Sequence, residues 1–243
     1  AAPQLSVTSP GKVLDASVVL NGGTAYYRVQ RFGETVVDDS KLGFVLRDGR
    51  LDRDFVQLGE QRRSVDETWE QPWGERRVSR NHFNELTVQL AESTGSKRRV
   101  DVVFRVYDDG LGFRYSFPEQ PNLREAIIDD ELTEFAIAPD STAWWIPAGE
   151  PIHYEYLYQR TPLREVPLVH TPMTLCSMDG LHVAIHEAAL VGYAGMWLRR
   201  TEGQRLRAEL SPSAEGWKVR RALPFSTPWP TVQIAVRAPG LVG

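Results

Sequence analysis

The chain has 243 residues, 42% of them hydrophobic and 25% charged, with a formal net charge of −4 from 32 acidic and 28 basic residues. That length can bury a core that is stable without staples, and the near balance of charge, with no basic run, argues against nucleic acid and anionic membrane as partners. The single cysteine, Cys176, excludes an internal disulfide, and no apolar stretch reaches the roughly 18–20 residues that span a bilayer.

The opening Ala1-Ala2-Pro3-Gln4-Leu5 has no charged initiator region and no methionine. It reads as an end of the kind that a signal peptidase leaves after small residues, or as an arbitrary boundary, and the first reading points to a periplasmic or secreted protein. From there the pattern is strand almost throughout. Lys12–Leu20 and Thr24–Gln30 flank Asn21-Gly22-Gly23, whose glycines tolerate positive φ, so the pair is expected to form a hairpin. Phe83–Glu92 places Leu86, Val88 and Leu90 on one side. Arg98–Asp108 alternates Val100, Val102, Phe104 and Val106 against a mixed face, and after the turn at Asp109-Gly110 the residues Leu111, Phe113, Tyr115 and Phe117 line the next apolar face.

Further strands are expected over Ile127–Ile137, Leu168–Cys176, Leu181–Glu187, Tyr193–Arg200, Arg205–Leu210, Gly216–Arg220 and Thr231–Val236. Short helices are expected only over Glu150–Gln159 and Gln61–Glu67. About eighteen strands, separated by Gly, Pro and Asp-rich turns and uninterrupted by a linker, predict one all-β domain over residues 1–243, built from two large packed antiparallel sheets. The tail after Val236 reads as the start of a connection, so the chain is expected to be part of something longer.

Two features carry chemistry. In LHVAIHEAALVGYAGM (181–196), Leu181, Val183 and Ile185 alternate toward one face and the next residue on that face is Glu187. An unpaired carboxylate among buried hydrophobes is strongly disfavoured. Three readings stand open: a bulge that returns Glu187 to solvent, an internal salt bridge to an arginine, or a functional carboxylate that serves as acid, base or hard-cation ligand. His186-Glu187 does not continue into a zinc motif, because Leu190 stands where a second histidine is required.

The second feature is aromatic density. Trp69 and Trp73 lie in ETWEQPWGERR (67–77), and Trp144 and Trp145 in TAWWIPAGE (142–150). Indole rings beside carboxylates and amides suit the C–H faces of sugars, and they equally suit a core beneath long loops or a protein interface. Asn81-His82-Phe83-Asn84-Glu85 reads as a polar cluster that satisfies backbone groups at a turn.

Six segments together, ETWEQPWGE, RNHFNEL, VFRVYDDGLGFRYSFP, LTEFAIAPDSTAWWIPA, LHVAIHEAALVGYAGM and PFSTPWPTVQIA, closely resemble the N-terminal domain of glycoside hydrolase family 97, in family order from about Ser9 to the end. The resemblance implies a β-super-sandwich of the galactose-mutarotase-like type. It also implies a catalytic (β/α)₈ barrel of the same polypeptide as partner, α-glucosides or α-galactosides as oligosaccharide substrates, and a Ca²⁺ ion in the active site. One glutamate of the amino-terminal domain reaches that calcium in the family, and the matching position is Glu187. Trp69, Trp73, Trp144 and Trp145 are the candidate substrate-binding residues.

No catalytic residue is assigned. Glycoside hydrolysis needs two carboxylates roughly 5–9.5 Å apart, and no convincing pair stands out, so this chain alone is expected to be inactive and to hold calcium weakly. The rival readings are a stand-alone carbohydrate-binding module, an aldose-mutarotase-like protein and a purely structural domain.

Overall fold

The computed structural model describes residues 4–70, 72, 78–149 and 156–237. Among them the chain forms 22 strands and one 3₁₀ turn, Leu163–Glu165. The first six strands are β1 (Gln4–Thr8), β2 (Leu14–Asn21), β3 (Thr24–Arg31), β4 (Glu34–Lys41), β5 (Phe44–Leu46) and β6 (Gly49–Leu51). A long hairpin follows, β7 (Phe55–Glu70) and β8 (Val78–Glu92), then β9 (Arg99–Tyr107), β10 (Gly110–Phe117), β11 (Glu125–Glu131), β12 (Glu134–Ile137) and β13 (Ser141–Trp145). The remainder are β14 (Gln159–Pro162), β15 (Leu168–His170), β16 (Met173–Ser177), β17 (His182–Ala188), β18 (Met196–Glu202), β19 (Arg205–Leu210), β20 (Val219–Ala222), β21 (Phe225–Ser226) and β22 (Trp229–Ala235).

Two large antiparallel sheets face each other, as expected for an all-β super-sandwich. One has eight strands in the order β1-β2-β3-β4-β12-β19-β18-β15. The other runs β14-β13-β16-β17-β22-β10-β9-β8-β7, with β21 paired to β10 as its tenth strand. A third, small sheet, β20-β11-β5-β6, was not expected from the sequence.

The hairpin of β2 and β3 forms at Asn21-Gly22-Gly23-Thr24, where Gly22 and Gly23 have φ of 58° and 81°. Both central residues of such a turn need positive φ, which a side chain resists. At Gly23 an added Cβ would also come within 2.9 Å of the Asp54 backbone.

Alternation packs the space between the large sheets. From β10, Phe113 and Tyr115 are buried, and from β9, Val102 and Phe104. Phe113 meets Tyr27 of the opposite sheet at 4.9 Å between ring centroids and stacks on Phe104 at 5.4 Å. Rings at these separations gain quadrupolar attraction on top of the area they remove from water. Tyr27 is fully buried, yet its hydroxyl donates to the Glu134 carbonyl at 2.7 Å and is thereby satisfied.

Several expected elements differ. Gln61–Glu67 is not helical; it lies within β7, which pairs with β8 from Phe55↔Glu92 to Glu70↔Val78. This edge strand is largely exposed and held by cross-strand ion pairs such as Arg63–Glu85 and Arg80–Asp66, so it lacks the apolar alternation that marks a strand. Ile127–Ile137 is two strands, β11 and β12, that belong to different sheets. Leu168–Cys176 divides at Pro172, which has no N–H for a ladder. Of the helix expected over Glu150–Gln159, residues 150–155 lie outside the described residues, and Gln159 begins strand β14. No helix among the described residues is long and apolar enough to cross a membrane.

Candidate functional site

The ladder between β17 and β22 runs without a register shift from His182↔Ala235 to Ala188↔Trp229, with Glu187 opposite Pro230. No bulge therefore turns Glu187 outward. Val183 and Ile185 are buried, and Glu187 follows on their face, partly buried, while His186 on the other face is exposed. That placement also separates His186 from Glu187 as an acid–base pair around one sugar ring.

Oε1 of Glu187 accepts the backbone N–H of Met196 at 3.3 Å. None of the basic side chains in the described ion pairs engages it. Burial pushes its carboxyl up to about 7, and the Met196 N–H offsets only part of that.

A second carboxyl lies in the same electrostatic neighbourhood. Glu131, the last residue of β11, is 2% exposed. Burial raises it first and the charge of Glu187 second, to about 8, while a hydrogen bond from Thr133 works the other way. Thr133 Oγ1 is also 2.7 Å from the Tyr115 hydroxyl, which accepts the Gly43 N–H at 3.3 Å. The Tyr193 hydroxyl is buried close enough to feel Glu131, Tyr115 and Glu187, and it has no hydrogen-bond partner among the described residues. None of the basic side chains in the described ion pairs engages Glu131 either.

Residues 189–195 leave β17 through Ala189 at φ 57° and Gly192 at φ 60°. The Gly192 carbonyl accepts Arg221 Nη1 at 3.0 Å, and a Cβ at Gly192 would overlap that guanidinium. Leu190 and Val191 are left exposed, the latter by 81%. Trp145 pairs with Gln159, Trp144 with Thr174, and Thr174 with Ala184, so the segment before Gln159 leaves the sheet at the same end as residues 189–191. That segment contains Leu157, 85% exposed, and Tyr158, 64% exposed. Exposed apolar groups thus gather at the end of the sheet where Glu187 sits.

The three described candidate tryptophans, Trp69, Trp144 and Trp145, do not form one surface. Trp145 is in the core and donates Nε1–H to Thr161 Oγ1 at 3.0 Å. Trp144 points to the outer face beneath Arg160, whose guanidinium is 5.3 Å from the ring centroid. Trp69 is exposed on β7, seven strands away from β13, which at about 4.8 Å per strand is more than 30 Å. Trp73 lies outside the described residues. Asn81–Glu85 falls inside β8 rather than before it, with His82 Nε2 3.8 Å from Asp66.

Glu131 and Tyr193 were not singled out from the sequence. Among the described residues no group of three or more His, Cys, Asp or Glu side chains could hold a metal ion.

The sequence profile described as glycosyl-hydrolase 97 N-terminal matches residues 7–243. A glycoside hydrolase family 97 enzyme from Pseudoalteromonas sp. strain K8, solved in complex with panose, superposes with a TM-score of 0.94 and 38% identity over 98% of this chain and 37% of its own. A retaining alpha-galactosidase of Bacteroides thetaiotaomicron is 25% identical over 214 residues, covering 82% of this chain and 31% of the relative. A beta-arabinopyranosidase structure at 22% identity shares the fold, with a TM-score of 0.87. The chain spans about a third of the length of the relatives it matches.

Proposed function

The chain belongs to the glycosyl-hydrolase 97 N-terminal family, and from that premise we propose that it is the non-catalytic amino-terminal domain of a calcium-dependent α-glycosidase, packing on the catalytic barrel of the same polypeptide and contributing Glu187 to a shared carbohydrate and calcium site. One observation carries the reading: an unbroken ladder aims Glu187 along the apolar face of β17, within electrostatic reach of a second buried carboxyl, Glu131. A divalent ion at that point would offset the desolvation that now raises both acids.

The donor set suits a hard cation in chemistry but not in number. Glu187 uses one oxygen on the Met196 N–H, which leaves the other lone pairs for an oxygen-seeking ion. One carboxylate cannot fill six to eight positions, so the remaining ligands come from outside the described residues. Bound there, calcium would supply Lewis-acid orientation of sugar hydroxyls and water. This chain's part is positional: β17 and β22 fix the Cα of Glu187, and the Met196 N–H holds one of its carboxylate oxygens. The exposed Leu157, Tyr158, Leu190 and Val191 offer the apolar surface on which a barrel would close.

The test is Glu187→Gln in the full-length enzyme. Calcium affinity, measured calorimetrically, is expected to fall about tenfold or more together with hydrolysis of α-glucosides or α-galactosides. Unchanged calcium affinity in a folded variant would sink the assignment.

A further inference from the structure

On the outward face of the ten-stranded sheet, turned away from Glu187, lies a cavity of about 340 Å³. Two outward positions of β10 in succession are glycines. Gly110 stands between Tyr107 and Gln233 of the neighbouring strands, and Gly112 between Arg105 and Thr231. The missing side chains open a depression in the middle of the sheet.

Its walls are fixed. The indole of Trp229 is held by the guanidinium groups of Arg105 and Arg114, 4.4 and 4.5 Å from the ring centroid. Tyr107 packs on Phe83 at 5.2 Å and its hydroxyl donates to Asn81 at 3.3 Å. Arg105 is paired with Glu85 at 2.7 Å, and Asp109 adds a carboxylate to the lining. Among the lining residues the charges of Arg105 and Asp109 balance, and the Arg114 guanidinium lies against the Trp229 ring rather than in the lining. Thr231, Gln233 and Asp109 present hydroxyl, amide and carboxylate groups beside the already paired Arg105, and an apolar occupant would offer those three no partner. The volume is at the small end of ligand sites, the size of a single ring system.

We propose that this cavity binds one neutral polyhydroxylated ring, a pyranose unit, at a site separate from Glu187. The inference does not depend on the calcium reading, because Ala188 faces this cavity and Glu187 the opposite side of the same strand.

Amide NMR titration of the chain with methyl α-glucopyranoside and methyl α-galactopyranoside tests it. Saturable shifts are expected at Tyr107, Gly110, Gly112, Thr231 and Gln233. At Gly112 an added Cβ would meet Thr231 and Trp229 at an ordinary 3.6 Å, so Gly112→Val fills the cavity without backbone strain. It is expected to weaken binding about tenfold or more, Gln233→Ala also about tenfold, and Glu187→Gln less than about twofold. The proposal is overturned if neither glycoside gives saturable shifts at these amides. It also fails if inorganic phosphate competes for them, or if Glu187→Gln abolishes binding while Gly112→Val and Gln233→Ala keep it.

Discussion

The Met196 N–H that donates to Glu187 Oε1 at 3.3 Å joins the end of β17 to the start of β18 across the loop 189–195. It is a single neutral donor to a carboxylate that burial otherwise penalises. Such an arrangement holds the side chain in place and leaves its charge largely uncompensated.

That imbalance sets a pH dependence. The folded carboxyl of Glu187 is raised to about 7 from an ordinary 4.5, so its contribution to stability is fully present below 4.5 and is lost as pH rises through 7. Thermal denaturation of the chain without added metal is expected to show declining stability across this window, and Glu187→Gln is expected to flatten the decline. A variant whose stability falls with pH as steeply as the parent would contradict the burial seen here.

Glu131 should titrate later and in concert. Raised to about 8, it favours the folded state most below 4.5 and loses that advantage as pH climbs through 8. Because the charge of Glu187 is its second largest perturbation after burial, Glu187→Gln is expected to lower the Glu131 midpoint without returning it to 4.5. Carboxyl-carbon NMR of the variant reads this directly. No movement of the Glu131 midpoint would show that the two acids do not interact.

Asp52 behaves in the opposite sense. It is fully buried, and burial alone would raise it, but Lys41 at 2.6 Å, Arg50 at 2.7 Å and Arg53 at 3.1 Å hold it well below the usual carboxylate range. Its contribution to stability is present above 3.8 and disappears as pH falls toward the lowered value. Asp52→Asn is expected to cost about 2 kcal/mol at neutral pH and much less in acid, measured by urea unfolding.

Much of the fold was legible in the residues because period-two alternation is strong where a strand has one buried face, as in Val100–Val106 and Leu111–Phe117. Glu187 was legible for the same reason: its ladder has no bulge, so counting by two from Val183 reaches it. Glu131 was hidden by the reverse. In β11 the count from Ala126 and Ile128 leads to Asp130, but the pairing with β5 shifts between Ile128 and Asp130, and Glu131 becomes the buried residue. The polar edge strand β7 reads as a helix because it is held by its backbone ladder to β8, with ion pairs such as Arg63–Glu85 across it, and presents no apolar face. The cavity at Gly110 and Gly112 needs β22, more than a hundred residues further along the chain, to pair with β10, which local periodicity cannot show.

The tryptophans offer a final test of which rings are free to meet a ligand. Trp145 is 8% exposed with its N–H bonded to Thr161, so Trp145→Ala removes a packed ring and the donor that Thr161 Oγ1 accepts. It is expected to cost about 3–5 kcal/mol, a fall in Tm on the order of 10 °C for a chain of this size. Trp69, 45% exposed on an edge strand, should change stability by less than about 0.5 kcal/mol when replaced by alanine. Differential scanning calorimetry of the two variants separates a core ring from a surface ring, and if Trp145→Ala proves as silent as Trp69→Ala, the indole of Trp145 is not part of the core that the sandwich shows.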